Sequence, residues 1–447
     1  MDVFLFITQL LVVLGCIVMG TRSSGVGLGL WGGAGVAILV FVFGIAPGSP
    51  PVDALLIVLS VVLASSMMQS AGGIDWMVSI AAKLIARSPK QITIIAPLVS
   101  FLFAAGAGTS NILYPLLPVI QDLSYRNGVR PSRPLSLSVV ATGVALACSP
   151  VSAAMAAMVT LTDTAPWNFE LVDILKVTIP AAIVGIIISG IFVNRLGKDI
   201  ADDPEIQERI AQGKIPAPSA NAAEVRAEVT VTAAGRNAAI IFLLGVAAIV
   251  AFGLFKGIRP LDAAGDPVAM TPIIEIVMFV VGTLILLISR PKVAEIPTMT
   301  VFKAGMVSAI ALFGLAWLTD TFLGEHTKLI AEGVGGLVTA APWIFALGIF
   351  LVCVLTTSQS TATRTIVPIG LAAGIPLGLM SGMWAGAFAG IYLLPTNGSQ
   401  IAAANFDHSG STKLGTKLVD HSFFLPTLIL AVTTIAAGAL FGALWGG

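Results

Sequence analysis

Long apolar runs separated by short polar ones dominate this chain. Their length predicts helices that cross a bilayer, each of which needs roughly 20 apolar residues. In the first half the runs are Val3 to Met19, Gly25 to Phe43, Val52 to Met68, a weaker one from Trp76 to Ile85, Ile92 to Ile120, Leu135 to Val159 and Leu171 to Val193. In the second half they are Asn237 to Phe255, Pro272 to Ser289, Val301 to Leu318, Pro342 to Leu379, Met383 to Ala403 and Phe423 to Trp445. Between the halves, Arg195 to Arg236 changes character. It holds Lys198, Arg209, Lys214 and Arg226 among Asp199, Asp202, Asp203, Glu205, Glu208, Glu224 and Glu228, with Pro216 and Pro218, and reads as a polar linker. The expected organisation is a first membrane half over 1–193, a cytoplasmic linker over 194–236 and a second membrane half over 237–447.

Four of these runs are interrupted, two in each half. Gly106-Ala107-Gly108-Thr109-Ser110-Asn111 breaks one run and Cys148-Ser149-Pro150-Val151-Ser152 the next. In the second half Thr356-Thr357-Ser358-Gln359-Ser360-Thr361-Ala362-Thr363-Arg364 is followed by Leu394-Pro395-Thr396-Asn397-Gly398-Ser399-Gln400. Ser110 precedes Pro118 by eight residues and Ser360 precedes Pro368 by the same eight. A single such break reads as an ordinary kink, because Gly, Pro, Ser and Thr are common in membrane helices. Matched pairs read differently. Non-helical backbone at membrane depth is tolerated only where protein or a water-filled cavity surrounds it, and inverted-repeat transporters place their sites at such breaks. The expected fold is an all-α integral membrane protein of roughly 10 to 12 spans. It has two inverted repeats, each with a re-entrant helical hairpin turning at the first break and a discontinuous helix unwound at the second.

Composition agrees and excludes other classes. The chain is 57% hydrophobic and 10% charged, with no net charge and a mean hydropathy of +0.99, against about 25% charged residues in soluble domains. Nucleic-acid binding finds no basic run. Cys16, Cys148 and Cys353 lie in apolar runs without metal or disulfide spacing, and His326, His408 and His421 have no partner at metal-ligand spacing. No nucleophile with an adjacent base can be assembled at the breaks, so an enzyme is not expected. Placement of Lys and Arg favours a cytoplasmic linker and an outward N-terminus. A first apolar run without a basic region before it reads as a retained span.

At a hairpin tip, free N–H groups at the start of the second helix favour an anion. Ser110, Asn111, Ser360 and Thr361 stand where a carboxylate could be held. Arg364 falls in the first turn after the second tip, where a cation is disfavoured by the helix dipole and costly at membrane depth. Its planar fork suits a carboxylate. Between Gln91 and Gln121, Leu135 and Thr162, and Pro342 and Asn405 there is no Asp, Glu or His to carry a proton. Coupling is then expected by exchange of anions, or by a sodium ion held on carbonyl and hydroxyl oxygens at the breaks. Glu275, near a span end, and Asp407, His408 and Lys413, past the last break, read as interfacial or solvated.

Gly108-Thr109 through Leu117-Pro118, Ala147 to Ser152, Ser358-Gln359 through Pro368, and Leu394-Pro395-Thr396 through Gly410 resemble the anaerobic C4-dicarboxylate uptake (Dcu) transporter family, as do Pro50 to Asp53 and Asp420 to Phe423. The resemblance runs over nearly the whole chain, in order. It implies a multi-pass carrier of the bacterial inner membrane for fumarate, succinate, malate or aspartate, working by antiport or cation-coupled uptake. It also implies membership of the wider ion-transporter superfamily, with a homodimer whose transport domains move like elevators against a scaffold. The family pattern has a histidine where this chain has Asn111, an alanine at Arg364 and a Pro-Ser-Asp run at Gly398-Ser399-Gln400, so this site is the more positive. On this reading Arg364 takes one carboxylate and Thr109, Ser110 and Asn111 the other. The remaining substrate-binding candidates are Ser149, Ser358, Gln359, Ser360, Thr361, Thr396, Asn397 and Ser399. A sodium-coupled symporter of a related organic anion or amino acid is the alternative.

Overall fold

The computed structural model describes residues 2–23, 26–163, 166–218, 231–263, 265–415 and 419–445, and among these it contains α-helices, short 3-10 segments and no strand. The first half folds as α1 (Asp2–Ser23), α2 (Gly27–Phe41), α3 (Val52–Ser70), α4 (Gly73–Ala86), α5 (Ile92–Ala107), α6 (Leu117–Arg126), α7 (Ser132–Ala145), α8 (Ala153–Thr162) and α9 (Leu171–Val193). A short α10 (Pro204–Ala211) lies in the polar stretch between the halves. The second half supplies α11 (Ala233–Leu254), α12 (Met270–Ser289), α13 (Thr300–Ala340), α14 (Trp343–Thr356), α15 (Gln359–Ala372), α16 (Leu377–Ala387), α17 (Gly398–Phe406) and α18 (Phe424–Trp445). Among the described residues eight stretches are long and apolar enough to cross a membrane, and four shorter apolar helices join them.

Each half contains the expected pair of broken elements. In the first, α5 leads to a tip, and the chain folds back through a 3-10 stretch (Ser110–Leu116) so that α6 touches α5; α7 and α8 then form one interrupted helix. In the second, α14 and α15 pack on each other as a hairpin. The helix begun by α16 continues as 3-10 turns to Tyr392, breaks, and resumes as α17. All fourteen residues of α7 are buried, which puts this helix at the centre of the molecule.

The helices fall into two packed groups. Val13, Cys16, Leu28, Val36, Leu39, Leu315, Leu318 and Phe322 form a separate core of α1, α2 and α13, and α3 packs against α13 at its boundary. The second, larger group holds both hairpins, both interrupted helices, α9 and α18, with the buried faces of α3, α4, α11 and α12 in the same core. Small residues set the tightest crossings, as in membranes generally. A methyl group added at Gly314 of α13 would land on the Gly29 carbonyl of α2, and one at Gly382 of α16 on the Gly438 carbonyl of α18.

Three local expectations change. The weak run after Trp76 is the full helix α4, whose Met77, Val78, Ala81 and Ile85 are buried while Asp75 and Lys83 face out; amphipathicity, not weakness, lowered its hydropathy. The run from Val301 ends at Leu318 in hydropathy but not in structure, because α13 continues to Ala340. Its polar residues Asp320, Glu325 and His326 are compatible with helix, and no glycine or proline stops it before Pro342 in a way they do elsewhere. Asp407 is buried, not solvated. It accepts hydrogen bonds from the Ser409 and Thr412 N–H groups and from the Ser409 and Ser411 hydroxyls, which compensate for its burial.

The described part of the polar stretch is docked rather than loose. Ile200, Ile206 and Ile215 pack on Tyr125 of α6. Arg130 pairs with Asp203, Arg133 with Asp199 and with the carbonyls of Leu196 and Gly197, while Arg209 donates to the Ser409 carbonyl and Lys413 pairs with Glu205. Burial pushes the Asp203 carboxyl up, but Arg130 and the Ile206 and Glu205 N–H groups outweigh it and hold it below the usual range. This layer joins the α6–α7 turn to the loop after α17. Residues 219–230 of the expected linker lie outside the described residues.

Candidate functional site

The four breaks share one local design, dictated by the orphan N–H groups at any helix start. Each ends on an extended residue whose side chain caps the helix that follows. Thr109 accepts from the Asn111 N–H at 3.2 Å, Ser152 from the Met155 N–H at 3.0 Å, Ser358 from the Thr361 N–H at 3.2 Å and Asn397 from the Ser399 N–H at 3.0 Å. At the two tips the preceding residue takes the left-handed conformation, Gly108 at φ +68° and Thr357 at φ +50°. Thr109 therefore corresponds to Ser358, Ser110 to Gln359 and Asn111 to Ser360. Proline spacing aligned Ser110 with Ser360; cap geometry shifts that register by one residue, because the second tip turns one residue earlier relative to its proline.

The tips converge. A cavity of about 390 Å³ is lined by Gly108, Thr109, Ser110 and Asn111 from the first and by Thr357, Ser358, Gln359 and Ser360 from the second. Ser152 of the first interrupted helix reaches the same space. Its far wall includes Gly20 of α1, Leu28 of α2 and Gly305, Ser308 and Ala311 of α13 from the other helix group, with Val58, Val61 and Ser65 of α3 between. The site thus lies where the two groups of helices meet. Among the described residues no charged side chain lines it, so its polarity comes from hydroxyls, amides and helix N-termini.

The first tip rests on the break in the first interrupted helix, since a methyl group at Gly108 would stand 2.7 Å from the Val151 carbonyl oxygen. The second tip reaches α7, where Gln359 Nε2 donates to the Gly143 carbonyl at 3.4 Å. Thr361 is buried behind its tip and donates through its hydroxyl to Ser358 Oγ at 2.9 Å.

Other candidates stand apart from the cavity. Ser149 is fully buried and accepts from the Val151 N–H, stabilising the break from within. Thr396 is exposed; Asn397 and Ser399 form a capping unit with Gln400, whose Nε2 donates to the Tyr392 carbonyl. Arg364 is absent from the cavity lining. It lies one turn beyond Ser360 and lines a second cavity, of about 290 Å³, on its own part of α15. The residues missed by sequence are Ser65, one of four serines in the apolar α3, and Ser308, the single serine of α13. No local pattern sets such a serine apart from one bonded to its own helix, and only the tertiary approach of α3 and α13 brings them to the tips.

Paired hairpins, paired interrupted helices and one cavity at the tips define a secondary transporter of the membrane. Comparison with known proteins extends this. The family model described as anaerobic C4-dicarboxylate membrane transporter matches residues 5–446. The anaerobic C4-dicarboxylate transporter DcuB of Escherichia coli is 36% identical over 99% of both chains, and the C4-dicarboxylate transporter DcuA of Wolinella succinogenes is 32% identical over 97% of this chain and 98% of its own. The chain belongs to this family of multi-pass inner-membrane transporters, as its sequence resemblance implied, and is not an enzyme. Among solved structures, the YdaH transporter of Alcanivorax borkumensis superposes with a TM-score of 0.57 over 99% of this chain and 97% of its own. The MtrF efflux pump of Neisseria gonorrhoeae gives 0.59 over 92% and 85%. Both are 14% identical, a likeness of fold.

Proposed function

We propose that the protein exchanges C4-dicarboxylates, such as fumarate, succinate, malate and aspartate, across the inner membrane by alternating access. The observation that carries this reading is the convergence of the two tips, one from each half, on one uncharged cavity at the boundary between two helix groups. A dicarboxylate has an anionic group at each end, and each tip offers a helix start with N–H donors and hydroxyls. Asn111 and Ser360, equivalent in the two tips, take the lead in holding the two ends; Ser110, Gln359 and Ser152 complete the cradle. Sliding the hairpin-bearing group along α3 and α13 would expose the cradle to alternate sides, an elevator motion between a moving group and a scaffold. Relatives named as C4-dicarboxylate transporters support the substrate class.

A dianion in a cavity without formal positive charge leaves room for a sodium ion on the same oxygens, so the test varies the cation. Proteoliposomes loaded with unlabelled succinate or with buffer receive labelled fumarate, succinate and aspartate, in sodium and in potassium. Uptake stimulated by internal succinate and indifferent to sodium is the expected result. Uptake that needs a sodium gradient, with no effect of internal succinate, would replace exchange by symport. We propose a homodimer as well, by analogy of fold; the mass of the solubilised protein, corrected for detergent, checks it.

A further inference from the structure

Arg364 is 4% exposed, and neither its Nε nor its Nη2 has a hydrogen-bond partner. An arginine that snorkels would carry its head to solvent along an apolar stem, and one that is structural would cap carbonyls or pair with an acid. This guanidinium does neither among the described residues. It faces a cavity of about 290 Å³ bounded by the start of α3, the end of α8, the middle of α13 and Pro368 on its own helix. Four residues separate Arg364 from Ser360, a rise of about 6 Å along the helix, so this cavity lies beyond the tip cavity and shares no lining residue with it.

The cavity's other polar groups limit what can enter. Asp53 and Asp320 line it, yet among the described residues neither forms an ion pair with Arg364. Asp320 is engaged by the Ser49 N–H at 2.7 Å, and Asp53 lies in the first turn of α3, where the helix dipole favours it. A dianion spanning this space would face both carboxylates. A monoanion seated against the guanidinium from the cavity would neutralise the buried, unpaired charge without reaching them.

We propose that the Arg364 cavity is a second anion site, for a small monoanion such as a halide or a one-carbon carboxylate, distinct from the dicarboxylate cradle at the tips. The bound anion is a resident counter-ion that keeps α15 neutral beside the moving tip. The experiment is thermal unfolding of the full-length protein in detergent, with potassium gluconate, whose five hydroxyls make it costly to desolvate in a partly apolar cavity, replaced stepwise by potassium chloride or potassium formate at constant ionic strength. A saturable rise of about 2 to 5 °C is expected for the wild type. It is lost in Arg364→Ala and needs at least 5-fold more anion in Arg364→Lys, whose ammonium lacks the planar fork. Response to chloride alone or to formate as well distinguishes the two kinds of monoanion. Saturating succinate should leave the response in place, and Asn111→Ala should retain it while weakening stabilisation by succinate. An unresponsive wild type, or equal responses in wild type and both variants, overturns the proposal. Loss of the chloride response when succinate saturates overturns it too, by making Arg364 part of the cradle. Failure of succinate to stabilise any form would count against the dicarboxylate reading and leave the counter-ion result standing.

Discussion

The first tip turns on Gly108 at φ +68° and the second on Thr357 at φ +50°, and both then pass into an extended capping residue. Backbone geometry is the same, yet the residues that produce it differ because their surroundings differ. Gly108 is pressed against Val151, so the first tip has no room for a side chain. Thr357 is exposed and has room, so a β-branched residue persists there at the cost of a conformation that L-residues avoid. The first tip is fixed by packing and the second by its own hydrogen bonds, in which Ser358 Oγ receives both the N–H and the hydroxyl of Thr361. A tip held by internal bonds can leave its neighbours without dismantling itself; one wedged against the interrupted helix travels with it.

Gly108→Ala breaks this comparison most severely. It adds a left-handed alanine, a cost of about 1 to 2 kcal/mol, and an overlap with Val151 worth about 1 to 3 more. Transport should be lost and the unfolding temperature should fall by more than for any other tip variant. Asn111→Ala and Ser360→Ala come next. Each removes one hydrogen-bonding group from an end of the substrate and should raise KM for succinate exchange about 5- to 30-fold, with comparable effects if the tips share the two carboxylates. A large effect at one tip alone would show a substrate held from one side. Cap removal is smaller: Ser358→Ala should destabilise by about 1 to 2 kcal/mol and Thr109→Ala by about 0.5 to 1, because Ser358 serves two donors and Thr109 one. Thermal melts rank them, and the reverse order would contradict the division between packing and internal bonding. Thr357→Gly is the gentlest change. Relief of strain exceeds the entropy lost in folding a glycine, and the second tip should gain up to about 1 kcal/mol with little change in KM.

Much of this architecture was legible because a membrane imposes simple rules on a sequence. Span length marks the long helices, and a serine or threonine cluster inside a span has few explanations. The breaks at Gly108 and Ser358 and their meeting in one cavity follow from those rules. Legibility ended where partners come from far along the chain. Arg364 reads as a neighbour of Ser360 at helical spacing, but the tip cavity opens at the helix start while Arg364 lies a turn deeper, against α3 and α13. Ser65 and Ser308 carry no local mark. Asp407 looks solvated because its four donors lie in the turn after it, a loop whose shape hydropathy does not encode. Likewise Asp199, Asp203 and Glu205 read as linker charges, although their cations stand on α6–α7 and on the loop after α17.

That docked acidic layer bears on how the protein is made. The segment with α10 leaves the ribosome after the first half and well before α17, so Arg130 and Arg133 can engage Asp203 and Asp199 while the second half is still being synthesised. When the loop after α17 arrives, Arg209 and Glu205 are already in place to receive the Ser409 carbonyl and Lys413. The chain carries its own template for joining its late part to its early one.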